Sequence, residues 1–314
     1  IGSVLALKAR SDLKPGEYLF ARNASLREVI GTIVDGKVVQ HAITIPEGLT
    51  SEQIVARITE NDIFSGSIRA IPSEGSLLPE TYKFPRGAPR EQVIARMQQA
   101  QKRVLADIWE HRNRDVPLKS PEQLVTLASI VEKETSKPDE RSRVAAVFIN
   151  RLQKKMKLQS DPTIIYGLVG GKGTLGRPIK ASEIQQPSPY NTYVIDGLPP
   201  GPIANPGRAS LEATANPART RDLFFVADGT GGHSFTETYE QHQKNVARLR
   251  ALEKQNQNDA AEPPEEPPTG TSAPDANGNG ATAPEPPPAT PNPAAKAKGS
   301  AQKSSHKPPR NERR

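Results

Sequence analysis

Cysteine is absent from the 314 residues, and aromatic side chains make up only 4% of them. Without cysteine the chain has neither a disulfide framework nor a thiolate metal site. The histidines show no spacing typical of metal ligands, so we expect neither a bound metal nor a cofactor. They are His41, His111, His233, His242 and His306. The sequence has no apolar run of about 18 residues, the length that spans a membrane.

The first residue is Ile1 rather than methionine. We therefore expect that an N-terminal segment, such as a signal or an anchor, has been removed. At the other end, residues 255–314 contain no aromatic residue and no isoleucine, and are rich in Pro, Ala, Gly, Asn, Glu and Lys. Such a composition cannot bury enough apolar surface to offset chain entropy, so we predict a disordered tail.

The formal net charge of the chain is +7, and all of it lies in residues 1–254, because the tail holds seven acidic and seven basic residues that cancel. A positive body suits an anionic polymer or an anionic membrane surface, or simply keeps the protein soluble. Nucleic acid is not expected as a partner, since the basic residues are scattered among acidic ones and aromatic stacking platforms are scarce.

Two similar strand and helix units are predicted within residues 1–67. The first pairs a strand at 16–20 with a helix that opens on the capping box Ser25-Leu-Arg-Glu28. The second pairs a strand at 38–45 with a helix capped by Thr50-Ser-Glu-Gln53, and Asp35-Gly36 between the units favours a hairpin turn. Such units are frequent in surface-binding modules, although an accessory subdomain that only packs fits the pattern equally well.

Residues 68–254 are predicted to form a mainly helical domain with a β-containing insert, which makes the whole chain α+β. An amphipathic helix is expected from about Pro89 to Arg112. Ser120-Pro-Glu-Gln123 combines an N-cap, a proline at the first helical position and a Gln three residues after the cap, so a second helix is expected to start there. A third follows through Val144 and Leu152, before loops rich in Gly, Pro, Asn and Tyr.

Glu134 lies on the apolar arc of the helix that starts at Ser120, whereas Thr126, Ser129 and Lys133 are assigned to its solvated side. A carboxyl group in apolar surroundings has a raised pKa, so it stays protonated near neutral pH and can donate a proton. Glycosidic cleavage needs such a group. A salt bridge or a cap at the helix end is the structural alternative. The nearest second acid, Asp161, is interpreted as a turn or N-cap residue before Pro162.

Eight sequence blocks follow one another along the chain: Leu77-Leu-Pro-Glu-Thr-Tyr82, Leu127-Ala-Ser-Ile-Val-Glu-Lys-Glu-Thr135, Val147-Phe-Ile-Asn-Arg-Leu152, Leu158-Gln-Ser-Asp-Pro-Thr163, Tyr190-Asn-Thr-Tyr193, Gly197-Leu-Pro-Pro-Gly-Pro-Ile203, Asn205-Pro-Gly207, and Phe225-Val-Ala-Asp-Gly229 with Gly232-His-Ser-Phe235. In this order they resemble one known family, the YceG-like endolytic murein transglycosylases (MltG). The resemblance continues more weakly into residues 1–67, which look like the LysM-like region of that family.

The resemblance implies that Glu134 is catalytic and that the chain cuts the bond between N-acetylmuramic acid and N-acetylglucosamine within glycan strands, without water. One carboxyl suffices, because it protonates the glycosidic oxygen and then takes the proton of the muramic C6 hydroxyl as that hydroxyl closes a 1,6-anhydro ring. Candidate sugar contacts, each of which could instead be a structural turn residue, are Gln159, Asp161, Thr163, Tyr190, Asn191, Tyr193 and Asn205.

The resemblance also implies where the protein acts. A single N-terminal membrane helix, outside this sequence, would hold the catalytic domain in the periplasm at the inner membrane. There the enzyme would limit the length of glycan strands beside peptidoglycan synthases. Two other functions stay open. The chain could be a non-catalytic peptidoglycan-binding scaffold, or a hydrolase in which Asp161 activates water. Replacing Glu134 and identifying the sugar ends of the products would distinguish the transglycosylase, the scaffold and the hydrolase.

Overall fold

The fold combines helices with two small antiparallel sheets, as the computed structural model of residues 13–261 shows, and this confirms the α+β class. Its helices are α1 (Leu26–Asp35), α2 (Ser51–Thr59), α3 (Arg90–Glu110), α4 (Pro121–Glu134), α5 (Arg141–Gln153), α6 (Asp161–Val169), α7 (Ala181–Ile184), α8 (Arg208–Ala215) and α9 (Tyr239–Ala261). Its strands are β1 (His41–Thr44), β2 (Thr81–Phe84), β3 (Phe224–Ala227) and β4 (His233–Thr236).

The first sheet pairs β1 with β2 in antiparallel register, with Ile43 opposite Tyr82. The buried side chains of this sheet pack with those of α2 and α3 in one core. Among its members are Ile45, Ile54, Ile58, Leu77, Phe84, Val93 and Met97. Residues on both sides of position 67 therefore share one core, so a cut at the expected domain boundary would separate the two paired strands.

Both capping boxes in the N-terminal part are confirmed. The side chain of Ser25 accepts a hydrogen bond from the N–H of Glu28 at the start of α1, and Thr50 accepts one from Gln53 at the start of α2. In each case the side chain three residues after the cap bonds back to the cap N–H. These helix starts were predictable because a capping box is a contact between neighbours along the chain.

Two local predictions in the same part are wrong. Residues 16–20 form no strand: among residues 13–261 they make one backbone bond, from Val39 N–H to Glu17 O, where a strand needs a ladder. Asp35-Gly36 is not a hairpin turn. Gly36 ends α1 in a left-handed conformation with φ 68°, and it and Lys37 donate to carbonyls of the last turn. Asp-Gly suits both geometries, and the helix before it decides.

The second core surrounds α4, which starts where Ser120 and Pro121 predict. All residues of α4 from Leu124 to Val131 are buried, so this helix has no solvated side over those two turns. The assignment of Thr126 and Ser129 to solvent is therefore wrong. Ser129 donates to the carbonyl oxygen of Thr126 and accepts the N–H of Ile203, which satisfies its hydroxyl in the core.

The second sheet is a hairpin of β3 and β4 that packs against α5, with Phe225 edge-on to Phe148 at 5.9 Å between ring centroids. The final helix, α9, follows and continues to Ala261, seven residues beyond Lys254. The expected tail boundary at 255 is thus placed too early, and the remaining tail lies outside the described residues. No helix within 13–261 combines the length and the apolar character needed to cross a membrane.

Candidate active site

Glu134 is the last residue of α4 and lies half-buried at the wall of a cavity of about 470 Å³. The helix stops there because Thr135 adopts an extended conformation and Ser136-Lys-Pro follows. The helix end points the carboxyl toward α6 and the β3–β4 hairpin, both of which contribute to the cavity. Its lining is formed by Glu134, Arg151, Leu158, Gln159, Asp161, Tyr193, Phe224, Phe225, Val226, Tyr239 and His242.

Burial raises the pKa of Glu134 to about 7. The hydrogen bond from Ser160 acts in the opposite direction, and the negative charge of Asp161 adds to the rise. A carboxyl with this pKa is present in both protonation states near neutral pH. It can therefore give a proton to one group and accept a proton from another, as acid and base catalysis requires.

Asp161 and Tyr193 form a pair on the same cavity wall, in which the Tyr193 hydroxyl donates to Asp161 Oδ1 at 2.6 Å. Asp161 is the first residue of α6, and the N-cap position belongs to Ser160, so the N-cap interpretation of Asp161 is wrong. Burial, followed by the bond to Asp161, raises the pKa of the Tyr193 phenol, which keeps it a neutral donor.

Gln159 is exposed and lines the cavity from the loop that precedes α6. Its φ of 51° is a left-handed conformation, which for a residue other than glycine costs about 1 kcal/mol. The bond from Gln159 N–H to the carbonyl oxygen of Thr192 holds the loop in this shape. Strained residues of this kind cluster at ligand sites.

Three predicted sugar contacts are buried and do not line the cavity. Thr163 donates to the carbonyl oxygen of Ser160, and Asn191 donates to three carbonyls of residues 183–186. Asn205 is 0% exposed and bonds to Leu49, Ser51, Glu74 and Leu77. The prediction that these three residues contact sugar is therefore corrected: their short polar side chains bond to backbone and side-chain groups within the protein.

Tyr190 also does not line this cavity. Its ring packs at 4.9 Å from that of Tyr166, on the side of α6 that borders a second cavity of about 360 Å³. Of the seven predicted sugar contacts, the structure brings three to the acid: Gln159, Asp161 and Tyr193.

Arg151 is a site residue that the sequence reasoning missed. It is buried under the cavity, where its Nε donates to the carbonyl oxygen of Leu223 and its Nη1 to that of Leu158, each at 2.7 Å. It thereby ties the residue just before β3 to the loop before α6. A signal was present, because Arg151 follows Val144 and Phe148 on one apolar face of α5, and a cation there requires buried partners.

Glu132, two residues before the acid, has a different environment. Its Oε2 accepts the N–H of Gly207 at 2.9 Å, at the N-terminus of α8, and its Oε1 lies 4.0 Å from Arg141. A carboxylate at a helix N-terminus is stabilised by the helix dipole. The two acids therefore do not pair, and Glu132 stabilises the packing of α8.

Comparison with known proteins gives consistent matches. The sequence profile of the YceG-like family matches residues 3–248. The chain is similar to the endolytic murein transglycosylase of Bacillus subtilis strain 168, with 32% identity over 271 residues that cover 76% of this chain and 73% of that protein. It is 29% identical over 289 residues to the endolytic murein transglycosylase of Streptococcus pneumoniae D39, of which it spans about half, 51%.

A solved structure agrees with these matches. The crystal structure of a YceG-like protein from Listeria monocytogenes, determined at 2.6 Å, is 31% identical. It superposes with a TM-score of 0.54 and covers 77% of this chain and 89% of that one.

Proposed function

The chain belongs to the YceG-like family, and on that premise we propose that it is an endolytic murein lytic transglycosylase with Glu134 as its acid and base. The observation that carries the proposal is a single carboxyl with a pKa of about 7 at the wall of an open cavity. One such group is enough for this reaction, because the substrate supplies the nucleophile.

The proposed reaction has two proton transfers and uses no water. Protonated Glu134 gives its proton to the oxygen of the β-1,4 bond between N-acetylmuramic acid and N-acetylglucosamine, and the C1–O bond breaks. The resulting carboxylate takes the proton of the muramic C6 hydroxyl while its oxygen bonds to C1. The products are a 1,6-anhydromuramic end and a free N-acetylglucosamine 4-hydroxyl, and Glu134 is protonated again.

The cavity walls suit a sugar chain. Tyr193 and Phe224 present half-buried rings that can pack on pyranose faces, while Gln159 and Asp161 supply polar atoms for hydroxyl and acetamido groups. Arg151 holds the wall from behind through two backbone carbonyls. We propose direct sugar contact for Gln159, Asp161 and Tyr193.

A hydrolase is the second candidate, and one observation favours it. Asp161 lines the same cavity as Glu134, so a water between them could be activated by the Asp161 carboxylate. The bond from Tyr193 occupies one oxygen of that carboxylate, which leaves only the other oxygen free to accept a proton from water. A hydrolase leaves reducing muramic ends, whereas the transglycosylase leaves anhydro ends.

Mass spectrometry of glycan strands digested with the purified full chain tests the proposal. We expect anhydro ends from the native chain and from Asp161→Asn, and a loss of at least about 100-fold in rate for Glu134→Gln, in which the amide cannot transfer a proton. Glu122→Gln is the matched control, since Glu122 is an exposed acid on the same helix.

Each other outcome contradicts a specific part of the proposal. Reducing ends that disappear in Asp161→Asn would establish the hydrolase instead. Binding to glycan without any cleavage by the native chain would establish the scaffold. Cleavage that is unchanged in Glu134→Gln would remove Glu134 from the mechanism.

The setting implied by the family is also proposed. We infer that residues 1–67 act as a LysM-like region and that residues 68–254 carry the catalytic site, with one core shared across the boundary. We further propose that a membrane anchor lies outside this sequence and places the enzyme in the periplasm at the inner membrane, near peptidoglycan synthases. Fractionation of cells that produce the natural gene product, before and after carbonate extraction, tests the anchor.

A further inference from the structure

Ser160 occupies the N-cap position of α6 but does not cap that helix. A serine at this position usually accepts a hydrogen bond from the N–H two or three residues later. Here its side chain makes no such bond, and its hydroxyl donates to Glu134 Oε1 at 2.5 Å instead. The residue is 1% exposed, so no solvent competes for this hydroxyl.

The backbone around Ser160 is fixed from three directions. Its N–H donates to Thr192 Oγ1 at 2.9 Å, and its carbonyl oxygen accepts the hydroxyl of Thr163 at 2.6 Å. The hydroxyls of Thr163 and Thr192 also bond to each other at 2.9 Å. Before it, the left-handed Gln159 turns the chain. The hydroxyl is therefore directed at the acid before any substrate binds, which is the usual basis of preorganisation.

We propose that Ser160 is a positioning residue that holds Glu134 Oε1 and reserves Oε2 for both proton transfers. The inference rests on the function proposed above. An O–H group that donates to Oε1 leaves the acidic proton on Oε2, where it can reach the glycosidic oxygen. After that transfer Oε2 is the oxygen without a donor, so it accepts the proton of the C6 hydroxyl. One oxygen thus gives and regains the proton, and the carboxyl need not rotate between the steps.

The same bond affects the acid strength of Glu134. A hydrogen bond to the charged form of a carboxyl favours that form, so Ser160 lowers the pKa that burial raises. Without it, the pKa of Glu134 rises further and the acid becomes weaker. Since free enzyme must carry a protonated Glu134, its activity falls as pH rises through this pKa, and loss of Ser160 moves that alkaline limb to higher pH.

Three variants of the full chain test the assignment: Ser160→Ala, Ser160→Thr and Thr163→Val. For Ser160→Ala we expect kcat to fall about 10- to 100-fold with KM little changed, and the alkaline limb of the pH profile to move upward. Ser160→Thr keeps the hydroxyl, so its kcat should lie within several-fold of the native value and its alkaline limb should stay at the native pH. Thr163→Val removes the bond to the Ser160 carbonyl oxygen but keeps the Ser160 hydroxyl itself, so its alkaline limb should move less than that of Ser160→Ala.

Carbon-13 NMR of the labelled Glu134 carboxyl measures its pKa without turnover, and the expected order is higher in Ser160→Ala than in the native chain. The assignment would be overturned if the pKa of Glu134 and the alkaline limb of the pH profile both stayed unchanged in a folded Ser160→Ala chain. It would also be overturned if Ser160→Ala and Thr163→Val moved the alkaline limb equally. Failure of the native chain to cleave glycan would instead overturn the proposed function, so the two failures are distinguishable.

Discussion

Replacement of Glu134 by Gln is expected to stabilise the fold in a manner that depends on pH. The buried carboxyl favours its neutral form, because its pKa is about 7 in the folded chain against a reference of 4.5. Gln keeps the shape of the side chain and an oxygen that can accept the bond from Ser160, but it cannot ionise. The comparison therefore isolates the penalty for charging one group at the cavity wall.

The sign follows from the protons bound in each state. Below pH 4.5 the carboxyl is protonated in both states and contributes no pH dependence. Between pH 4.5 and about 7 the folded chain retains a proton that the unfolded chain releases, so the stability of the native protein falls as pH rises. One pKa unit corresponds to about 1.4 kcal/mol, so the full difference approaches about 3 kcal/mol above pH 7.

Urea denaturation followed by circular dichroism, from pH 5 to pH 8.5, measures the effect. The free energy of unfolding of Glu134→Gln minus that of the native chain should grow with pH and level off above about 7. Glu122→Gln is the control: hydrogen bonding to Ser120 lowers the pKa of Glu122 below 4.5, so this carboxyl is ionised in both the folded and the unfolded chain over this range, and the stability difference should change little with pH. A stability difference for Glu134→Gln that is flat or shrinks over this range would refute the reasoning about the acid.

Three further substitutions test the packing that supports the site, each measured by urea denaturation at neutral pH. Leu127→Ala, at a fully buried position in α4, should lower the free energy of unfolding by about 2–5 kcal/mol, and a loss under 1 kcal/mol would mean that the core collapses around the gap. Asn205→Ala removes the acceptor of Leu77 N–H and should cost about 1–3 kcal/mol for each buried group left unpaired, so near-native stability would show that water replaces the amide. Gly75→Ala should cost more than about 1 kcal/mol, because φ is 74° and a Cβ would lie 2.7 Å from Pro202 Cγ; an unchanged midpoint would contradict this clash.

Helix starts were the most predictable part of the fold. The caps at Ser25, Thr50 and Ser120 depend on residues three positions apart, so the local sequence contains the whole interaction. The positions at which helices end were harder to predict. The helix α9 continues to Ala261 although its composition after Lys254 resembles the tail, because a helix once formed adds one backbone bond for each further residue.

Exposure was less predictable than secondary structure. Periodicity assigned Thr126 and Ser129 to solvent, yet other elements of the fold cover that face of α4 as well. A hydrophobic pattern reports only the average polarity of a helix face. It cannot report a hydroxyl that enters the core with its own partner, as Ser129 does with the N–H of Ile203.

In the candidate site, too, features set by the local sequence were predictable and contacts between distant residues were not. The position of Glu134 on an apolar arc was visible in the sequence, because its helix supplies most of that arc. The contact with Ser160 was not visible, since it joins residues 26 positions apart across a loop. Nor could the sequence separate Gln159, which faces the cavity, from Asn191, which bonds to three backbone carbonyls. Both are amides in polar loops, and only the path of the chain gives them different partners.

Glu132 and Glu134 show that two identical residues in one helix can have different environments because they meet different partners. They share one helix and one residue type, and they stand two positions apart, so their side chains leave the axis about 160° from each other. The first meets the N–H of Gly207 at the start of α8, where a helix N-terminus favours negative charge. The second meets a serine hydroxyl and apolar walls, where burial favours the neutral acid. The contact of Glu132 holds the start of α8, whereas Glu134, whose charged form burial penalises, is the group that we propose transfers protons. The helical twist between the two acids thus gives one of them a structural partner and places the other at the cavity that we propose is the active site.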